Sequence, residues 1–189
     1  MEKVAVGKIT AGVTPVIITG AIVNGKPNFL TLGNYGGLSN RPVPLVYISS
    51  VKTHYTNVGI KENGYFSINW PSKDLVGKTN YVGSVSGKDI DKSKVFSVFY
   101  GSVDKAPLIE ECPVNTVCKL IQTLDLPRND VFIGEIIETF VNKDCCEGDK
   151  PVHKNINPLL TPLLTGDGAY WELGNEVGQR PQRAQRVVK

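Results

Sequence analysis

The stretch PVIITGAIVNGKPNFLTL, residues 15–32, carries the strongest structural signal in this sequence. Val, Ile, Thr and Ala occupy most of positions 16–23, and apolar residues recur within 26–32 after the dipeptide Asn24-Gly25. Asn-Gly is the dipeptide best suited to a type I′ turn, whose twist matches that of two antiparallel strands. Pro27 has no backbone N–H to donate, which suits the start of a strand or the edge of a sheet. The stretch therefore predicts a β-hairpin.

Short apolar runs separated by turn residues continue along the chain, which has 19 Gly and 12 Pro in 189 residues. This texture favours strands and turns over a helical bundle. Residues 33–44 are predicted to form a loop, because Gly33, Gly36 and Gly37 free the backbone and Pro42 and Pro44 restrict its exit. The other predicted elements are strands at 45–51, 65–70, 114–124, 131–141 and 169–173, and short helices at 53–61, 72–82 and 91–100.

These elements predict a mainly β fold. Strands and helices do not alternate regularly, which argues against a doubly wound parallel sheet. Six or seven antiparallel strands, whose edges need protection, favour a small closed barrel with a few short helices. The length suits one domain, predicted over residues 1–176, followed by a basic tail at residues 177–189.

The charge distribution narrows the choice of partners. The net charge is +3, and the tail carries four basic residues and no acidic one; without it, 17 basic side chains face 18 acidic ones. A nucleic-acid binder is expected to carry a basic face on its folded body, and no apolar run approaches the ~20 residues that span a bilayer. With no signal-peptide pattern at the start, a cytoplasmic location is expected. The tail is expected to be a flexible end or an arm that packs on a partner subunit.

Several classes of site are missing from the sequence. The pairs Cys112/Cys118 and Cys145/Cys146 lack zinc-ligand spacing, so the four cysteines are expected to be thiols. Cys118 is expected in the core, and Cys145 and Cys146 in a polar surface loop. No G-x-G-x-x-G, Walker A or G-x-S-x-G motif occurs, and two histidines give little support for a catalytic triad. We predict no catalytic side chain and no metal site.

Residues 28–56 combine groups that suit an anionic ligand that contains a ring. Lys52 and His54 offer positive charge, and the backbone N–H groups of residues 53–56 would start a helix, where unpaired amides favour a phosphate. Each hydroxyl taken alone also fits a turn or a helix cap, but the clustering around a Gly-rich loop favours a site. The amide and hydroxyl side chains in this segment are Asn28, Thr31, Asn34, Ser39, Ser49, Ser50, Thr53 and Thr56.

The same segment resembles a known family. The run GKPNFLTLGNYGGLSNRPVPLVYISSVKTHYTNVGIKENGYFSINWPS at 25–72 is similar to the flavin reductase-like FMN-binding family, particularly its flavoredoxin-like branch. GSVSGKDIDKSKVF at 83–96, APLIEECPV at 106–114 and DVFIGEIIE at 130–138 fit the same branch in the same order. The resemblance extends over roughly residues 12–173 and rests on the ordered set of runs rather than on one motif.

The resemblance implies a split β-barrel, a homodimer, and FMN bound near the subunit interface. It implies that the isoalloxazine ring lies along the second strand and the following loop, and that the phosphate lies after the third strand. Relatives with flavin reductase activity often carry T-x-N-S and adjacent prolines, whereas this chain has Thr31-Leu32-Gly33-Asn34 and Pro42-Val43-Pro44. The ring residues implied are Asn28, Thr31, Leu32, Gly33 and Asn34, and the phosphate residues are Ser49, Ser50, Lys52, His54, Tyr55 and Thr56, with Lys92 as an added cation.

Three functions are compatible with this resemblance. The first is an NAD(P)H-dependent oxidoreductase that reduces flavin or another acceptor such as ferric iron. The second is an electron carrier in which bound FMN moves electrons between protein partners. The third is an FMN-binding barrel without redox turnover. In the first two, the cofactor supplies the redox chemistry and the protein orients and tunes it.

Overall fold

A computed structural model describes residues 1–162 and 166–178. Most of its regular structure is β, and its helices are short. The strands are β1 (Val13–Pro15), β2 (Ile17–Val23), β3 (Lys26–Leu32), β4 (Tyr35–Ser39), β5 (Leu45–Val51), β6 (Tyr65–Trp70), β7 (Val98–Phe99), β8 (Leu108–Ile109), β9 (Val114–Asp125), β10 (Asn129–Val141), β11 (Cys146–Glu147), β12 (Lys150–Pro151) and β13 (Leu160–Pro162). The α-helices are α1 (Thr56–Asn63), α2 (Val76–Ser84) and α3 (His153–Ile156), with 3₁₀ turns at Lys73–Leu75, Lys92–Lys94 and Lys143–Cys145.

The hairpin predicted from residues 15–32 is confirmed as β2 and β3. Asn24 and Gly25 have φ of 49° and 74°, as a type I′ turn requires at both central positions. The register pairs Val23 with Lys26 and Ile17 with Leu32. Pro27 lies in β3, which is an edge strand. An N–H at this position would face the open side of the sheet, so its absence removes no ladder hydrogen bond.

Seven strands form one antiparallel sheet in the order β3-β2-β6-β9-β10-β5-β4. Its two edge strands are β3 and β4. β3 does not hydrogen-bond to β5, yet Leu30 and Leu32 of β3 share one apolar cluster with Val46 and Ile48 of β5. The sheet therefore curls around this cluster and stays open between β3 and β5. This is the mainly β, antiparallel split barrel that was predicted.

A second apolar cluster lies on the outer face of the barrel. Phe29 of β3 packs there with Leu75 and Val82, which come from the 3₁₀ turn and from α2. Phe29 also meets Phe96 edge-on, with ring centroids 5.4 Å apart. Since side chains alternate along a strand, β3 contributes Leu30 and Leu32 to the interior and Phe29 to the layer under α2. The segment after α2 is thereby held beside the open edge of the barrel.

Two predicted elements were wrong in type. Residues 35–39, predicted as part of a loop, form the edge strand β4, in which Gly36 packs on the ring of Tyr47; a Cβ at this glycine would come within 2.6 Å of the ring. Glycine is depleted in strands in general, but here it permits that close packing. Residues 91–100, predicted as a helix, form a 3₁₀ turn and then β7, because Val98 and Phe99 pair with Ile109 and Leu108.

Other differences concern boundaries and burial. Helix α1 runs from Thr56 to Asn63 rather than over the predicted 53–61, and Gly64, with a φ of 69°, caps its end. The strand predicted at 169–173 is reduced to one bridge between Trp171 and Leu160. Cys145, predicted in a surface loop, is only 5% exposed, and its thiol donates to the carbonyl of Asn155 at 3.3 Å.

Cys118 is fully buried, as predicted. Among the helices of the described residues, none combines the length and the apolar character needed to cross a bilayer. The predicted basic tail at 177–189 lies outside the described residues from position 179 onward.

Candidate functional site

A cavity of about 270 Å³ opens where the barrel is split. Its walls come from β3, from the start of α1, and from the segment that follows α2. Asn28, His54, Tyr55, Thr56 and Lys92 all line it, so the fold brings together five of the twelve residues predicted from sequence. The remaining lining residues are Leu30, Thr53, Gly83, Ser84, Val85, Ser86 and Gly87.

The start of α1 presents unpaired donors to this cavity. The amide of Asn28 donates to the Thr56 hydroxyl oxygen at 2.7 Å, which leaves the hydroxyl hydrogen of Thr56 available. The N–H groups of Asn57 and Val58 donate to the carbonyls of His54 and Tyr55. Within the described part of the chain, the N–H groups of Tyr55 and Thr56 have no acceptor. A helix start with free N–H groups attracts anions.

Lys92 supplies a buried positive charge. Lys92 is only 3% exposed. Its ammonium donates to the carbonyls of Phe29 at 3.0 Å and Val82 at 2.7 Å. A lysine ammonium has three donors, so one remains for a ligand. Burial lowers the pKa of this ammonium to about 8. One carbonyl belongs to the edge strand β3 and the other to α2, so the Lys92 side chain links these two elements at the cavity.

The side chain of Ser50 positions His54 and is itself bonded to the side chain of Asn57. Its Nδ1 lies 2.9 Å from the hydroxyl oxygen of Ser50, and that hydroxyl donates to the side-chain amide oxygen of Asn57 at 2.7 Å. Burial and, secondarily, the positive charge of Lys92 hold the pKa of His54 below its ordinary value. His54 is therefore mostly neutral at neutral pH in the free protein.

The open edge of β3 borders the cavity. Val23 and Lys26 form the pair that closes the two-residue hairpin, so the backbone N–H and C=O groups of Lys26 point toward β2. The direction alternates along the strand, and the N–H and C=O groups of Phe29 and Thr31 therefore point to the open side. The Phe29 carbonyl meets Lys92 there. Neither the Phe29 nor the Thr31 N–H donates to an acceptor among residues 1–162 and 166–178. A flat ligand with alternating acceptors and donors can bind to such an edge.

The other predicted residues lie elsewhere. Thr31 is next to the edge, but its hydroxyl donates to the Thr79 carbonyl at 2.6 Å. Ser50 lies behind His54. Lys52 is exposed and pairs with Asp125, so it points away from the cavity. Leu32 lies in the core, and Gly33 lies beside Thr14 and Thr161. The Asn34 carbonyl accepts from the Ser49 N–H, and the Ser49 hydroxyl accepts from the Asn129 side chain.

The wall at residues 83–87 was not predicted from the sequence. Gly87 packs so closely on Asn28 that a Cβ would come within 2.0 Å of the Asn28 amide oxygen. Ser84 and Ser86 bring hydroxyls to the same wall. The available signal was the Gly- and Ser-rich composition of GSVSG at 83–87, shortly before Lys92, a composition typical of segments that approach a ligand closely.

A second cavity of about 300 Å³ adjoins the first and shares Asn28, Tyr55, Gly87 and Lys92 with it. The two cavities differ in their acidic residues. Asp89 and Asp91 line the second one, together with Lys26 and Lys88, and Lys26 bonds Asp91 at 2.9 Å. Among the described residues, no Asp or Glu lines the first cavity, so its net charge is positive.

Comparison with known proteins identifies the family of this chain. The model of the flavin reductase like domain matches residues 7–173. The chain belongs to the flavin reductase like domain family. This is a family of flavin-related oxidoreductases, and the structural comparisons identify the branch.

A flavoredoxin from Methanosarcina acetivorans is 39% identical, with a TM-score of 0.89 and 95% of each chain covered. Flavoredoxin of Desulfovibrio vulgaris (Miyazaki F) is 27% identical, with a TM-score of 0.86, over 94% of this chain and 97% of that one. An FMN-binding protein from Thermus thermophilus shares the fold at 20% identity, with a TM-score of 0.78, over 95% and 97% of the two chains.

Proposed function

We propose that this chain binds FMN non-covalently in the cavity between β3 and α1 and serves electron transfer as a flavoredoxin-like oxidoreductase. The observation that carries the proposal is a positively charged cavity, with buried Lys92 and the free N–H groups of Tyr55 and Thr56, directly beside the open edge of β3. The family membership and the 39% identity to a flavoredoxin support it.

The cavity fits the phosphate of FMN. A phosphate monoester offers three acceptor oxygens and carries between one and two negative charges near neutral pH. The free donor of Lys92, the Thr56 hydroxyl and the start of α1 all suit such a group, and charge-assisted hydrogen bonds are the strong ones. Ser86, whose hydroxyl oxygen accepts from the Lys88 N–H and keeps its own hydrogen, would add a neutral donor from the opposite wall.

The open edge of β3 fits the flavin ring. The ring carries carbonyl oxygens and ring nitrogens along one side, which can meet the outward N–H groups of Phe29 and Thr31. When bound, FMN supplies hydride or electron chemistry that no side chain here provides. The residues of the chain would hold the ring, exclude water from one of its faces and compensate the phosphate charge.

The absorption spectrum of the purified protein tests the proposal. We expect the bands of oxidised flavin, with FMN released on heat denaturation, because the proposed contacts are non-covalent. A colourless protein that cannot be reconstituted with FMN would contradict the proposal.

The electron donor divides the proposal into two forms. Steady-state oxidation of NADH or NADPH, with added FMN or a ferric chelate as acceptor, would favour a reductase. The similarity to flavoredoxins favours a carrier, whose bound FMN is reduced by a partner redox protein and turns over negligibly with either nicotinamide. If neither class of donor reduced the bound flavin, only an FMN-binding role would remain.

We also propose that the chain forms a homodimer. Four large apolar side chains of β9, β10 and the intervening turn are 40–51% exposed: Ile121, Leu124, Leu126 and Ile137. Exposed large apolar side chains on two paired strands are typical of interaction surfaces. Light scattering is expected to give twice the chain mass, and Ile121→Glu is expected to shift the protein toward monomer. A monomeric wild-type protein at micromolar concentration would contradict the dimer.

A further inference from the structure

The hydrogen bonds beneath His54 have a direction that the fold sets. The amide nitrogen of Asn57 donates to the backbone carbonyl of Val51 at 2.9 Å. A carbonyl can only accept, so this contact fixes which end of the Asn57 amide is nitrogen. The Asn57 amide oxygen is then the atom that faces Ser50.

The orientation of Asn57 determines the proton on the imidazole. The Asn57 oxygen only accepts, so the Ser50 hydroxyl must donate to it at 2.7 Å. With its hydrogen used, the Ser50 oxygen can only accept from His54 Nδ1, 2.9 Å away. Neutral His54 therefore carries its proton on Nδ1 and a lone pair on Nε2. Ser50 and Asn57 are 1% and 2% exposed, so water does not compete for these contacts.

The lone pair on Nε2 repels an anion and attracts a proton. His54 lines the cavity, and Nδ1 is engaged with Ser50, so Nε2 is the ring nitrogen left for a ligand. We infer that an anion entering the cavity brings a proton from solvent onto His54 Nε2, and that Ser50 and Asn57 are positioning residues that select this nitrogen. This inference rests on the proposed function, because the phosphate of FMN is the anion.

The surroundings of His54 favour this coupling. Lys92 faces it from the 3₁₀ turn after α2 and opposes its protonation in the free protein. Tyr55 is the titratable neighbour at the start of α1. On β9 and β10 the nearby carboxylates are Asp125 and Asp130, which pair with Lys52 and Lys61.

On the wall of the second cavity, Asp91 pairs with Lys26, and Lys88 and Asp89 are exposed. A bound dianion would outweigh Lys92 and stabilise the imidazolium.

Calorimetry in two buffers of different ionisation enthalpy counts the protons taken up on binding. At about pH 7 a phosphate monoester is mostly dianionic and Lys92, with a pKa of about 8, is mostly charged, so His54 dominates the count. We expect an uptake approaching one proton per FMN for the wild-type protein. We expect almost none with riboflavin, which lacks the phosphate, and almost none with FMN in His54→Gln.

Nitrogen NMR of the imidazole tests the positioning residues directly. The chain has two histidines, so His54→Gln assigns the signals. Above the pKa of His54, the wild-type protein is expected to show protonated Nδ1 and unprotonated Nε2. Ser50→Ala is expected to lose this single tautomer, and Ser50→Thr, which keeps a hydroxyl, is expected to restore it. Loss of packing alone would not produce this pattern.

The outcomes separate this inference from the proposed function. FMN binding without proton uptake, or a neutral His54 protonated on Nε2, would overturn the inference and leave FMN binding intact. If FMN did not bind, the proposed function would fail. A His54 pKa raised by inorganic phosphate would still support the coupling in that case.

Discussion

Replacing Lys92 with methionine is expected to weaken FMN binding about 30- to 150-fold. The substitution keeps the length of the side chain and removes a charge-assisted contact, which contributes about 2–3 kcal/mol. Lys92 is the buried cation of the cavity, and burial makes its charge less screened than that of a surface lysine. Quenching of flavin fluorescence measures the affinity. Riboflavin affinity is expected to change little, because the lost contact is to the phosphate.

Lys52 is the matched control for this experiment. It was an equally plausible phosphate ligand from the sequence, but in the structure it is exposed and pairs with Asp125. Lys52→Met is expected to leave FMN affinity within about two-fold, as for most exposed ion pairs. Since Lys92→Met also leaves the Phe29 and Val82 carbonyls without a donor, denaturant unfolding of both variants must accompany the titration. Equal losses of affinity in two folded variants would contradict the assignment of the anion site to Lys92.

Replacing Gly59 with alanine is expected to lower the free energy of unfolding by about 3 kcal/mol. A Cβ at this position would lie 2.2 Å from the carbonyl oxygen of Ile22 and 2.8 Å from a methyl of Val23. The first contact is backbone of β2, which is held in the sheet and cannot rotate away. Overpacking of this kind typically costs about 1–3 kcal/mol, occasionally more. Urea unfolding monitored by circular dichroism measures the change.

Gly77 is the matched control in helix α2. Nothing lies within 4 Å of a Cβ there, so Gly77→Ala is expected to stabilise the protein by about 0.5–1 kcal/mol through helix propensity. Because α1 positions Thr56 and Asn57, Gly59→Ala is also expected to weaken FMN binding, whereas Gly77→Ala is not. Similar stabilities of the two variants would show that α1 does not pack on β2 as closely as the structure has it.

The parts of the fold that the sequence predicted correctly depend on local chemistry. The Asn24-Gly25 turn needs two positive φ angles, which this dipeptide adopts readily, so β2 and β3 could be predicted from 18 contiguous residues. Strand β4 and the short pair β7–β8 could not, because partners far apart in sequence stabilise them. Val98 and Phe99 become strand only through Ile109 and Leu108.

The candidate site also has parts that depend on local sequence and parts that depend on long-range packing. A helix start with donors for an anion could be recognised near residues 53–56, since that property is local, although the helix begins at Thr56. The wall at 83–87 approaches β3 only because α2 packs on Phe29 and Lys92 bonds to its carbonyl. The tautomer of His54 depends on Asn57, three residues away, and on the carbonyl of Val51 that fixes the orientation of Asn57.

The sequence by itself determined the hairpin of residues 15–32, the mainly β character and the region that we propose as the site of an anionic ligand. It did not decide which lysine serves that region. Lys52 and Lys92 look alike in sequence, and Lys52 is nearer to the predicted helix start. The tertiary structure turns Lys52 toward Asp125 in water and buries Lys92 between two carbonyls. Burial and partners are properties of long-range packing, and these two properties decide the charge that a ligand meets.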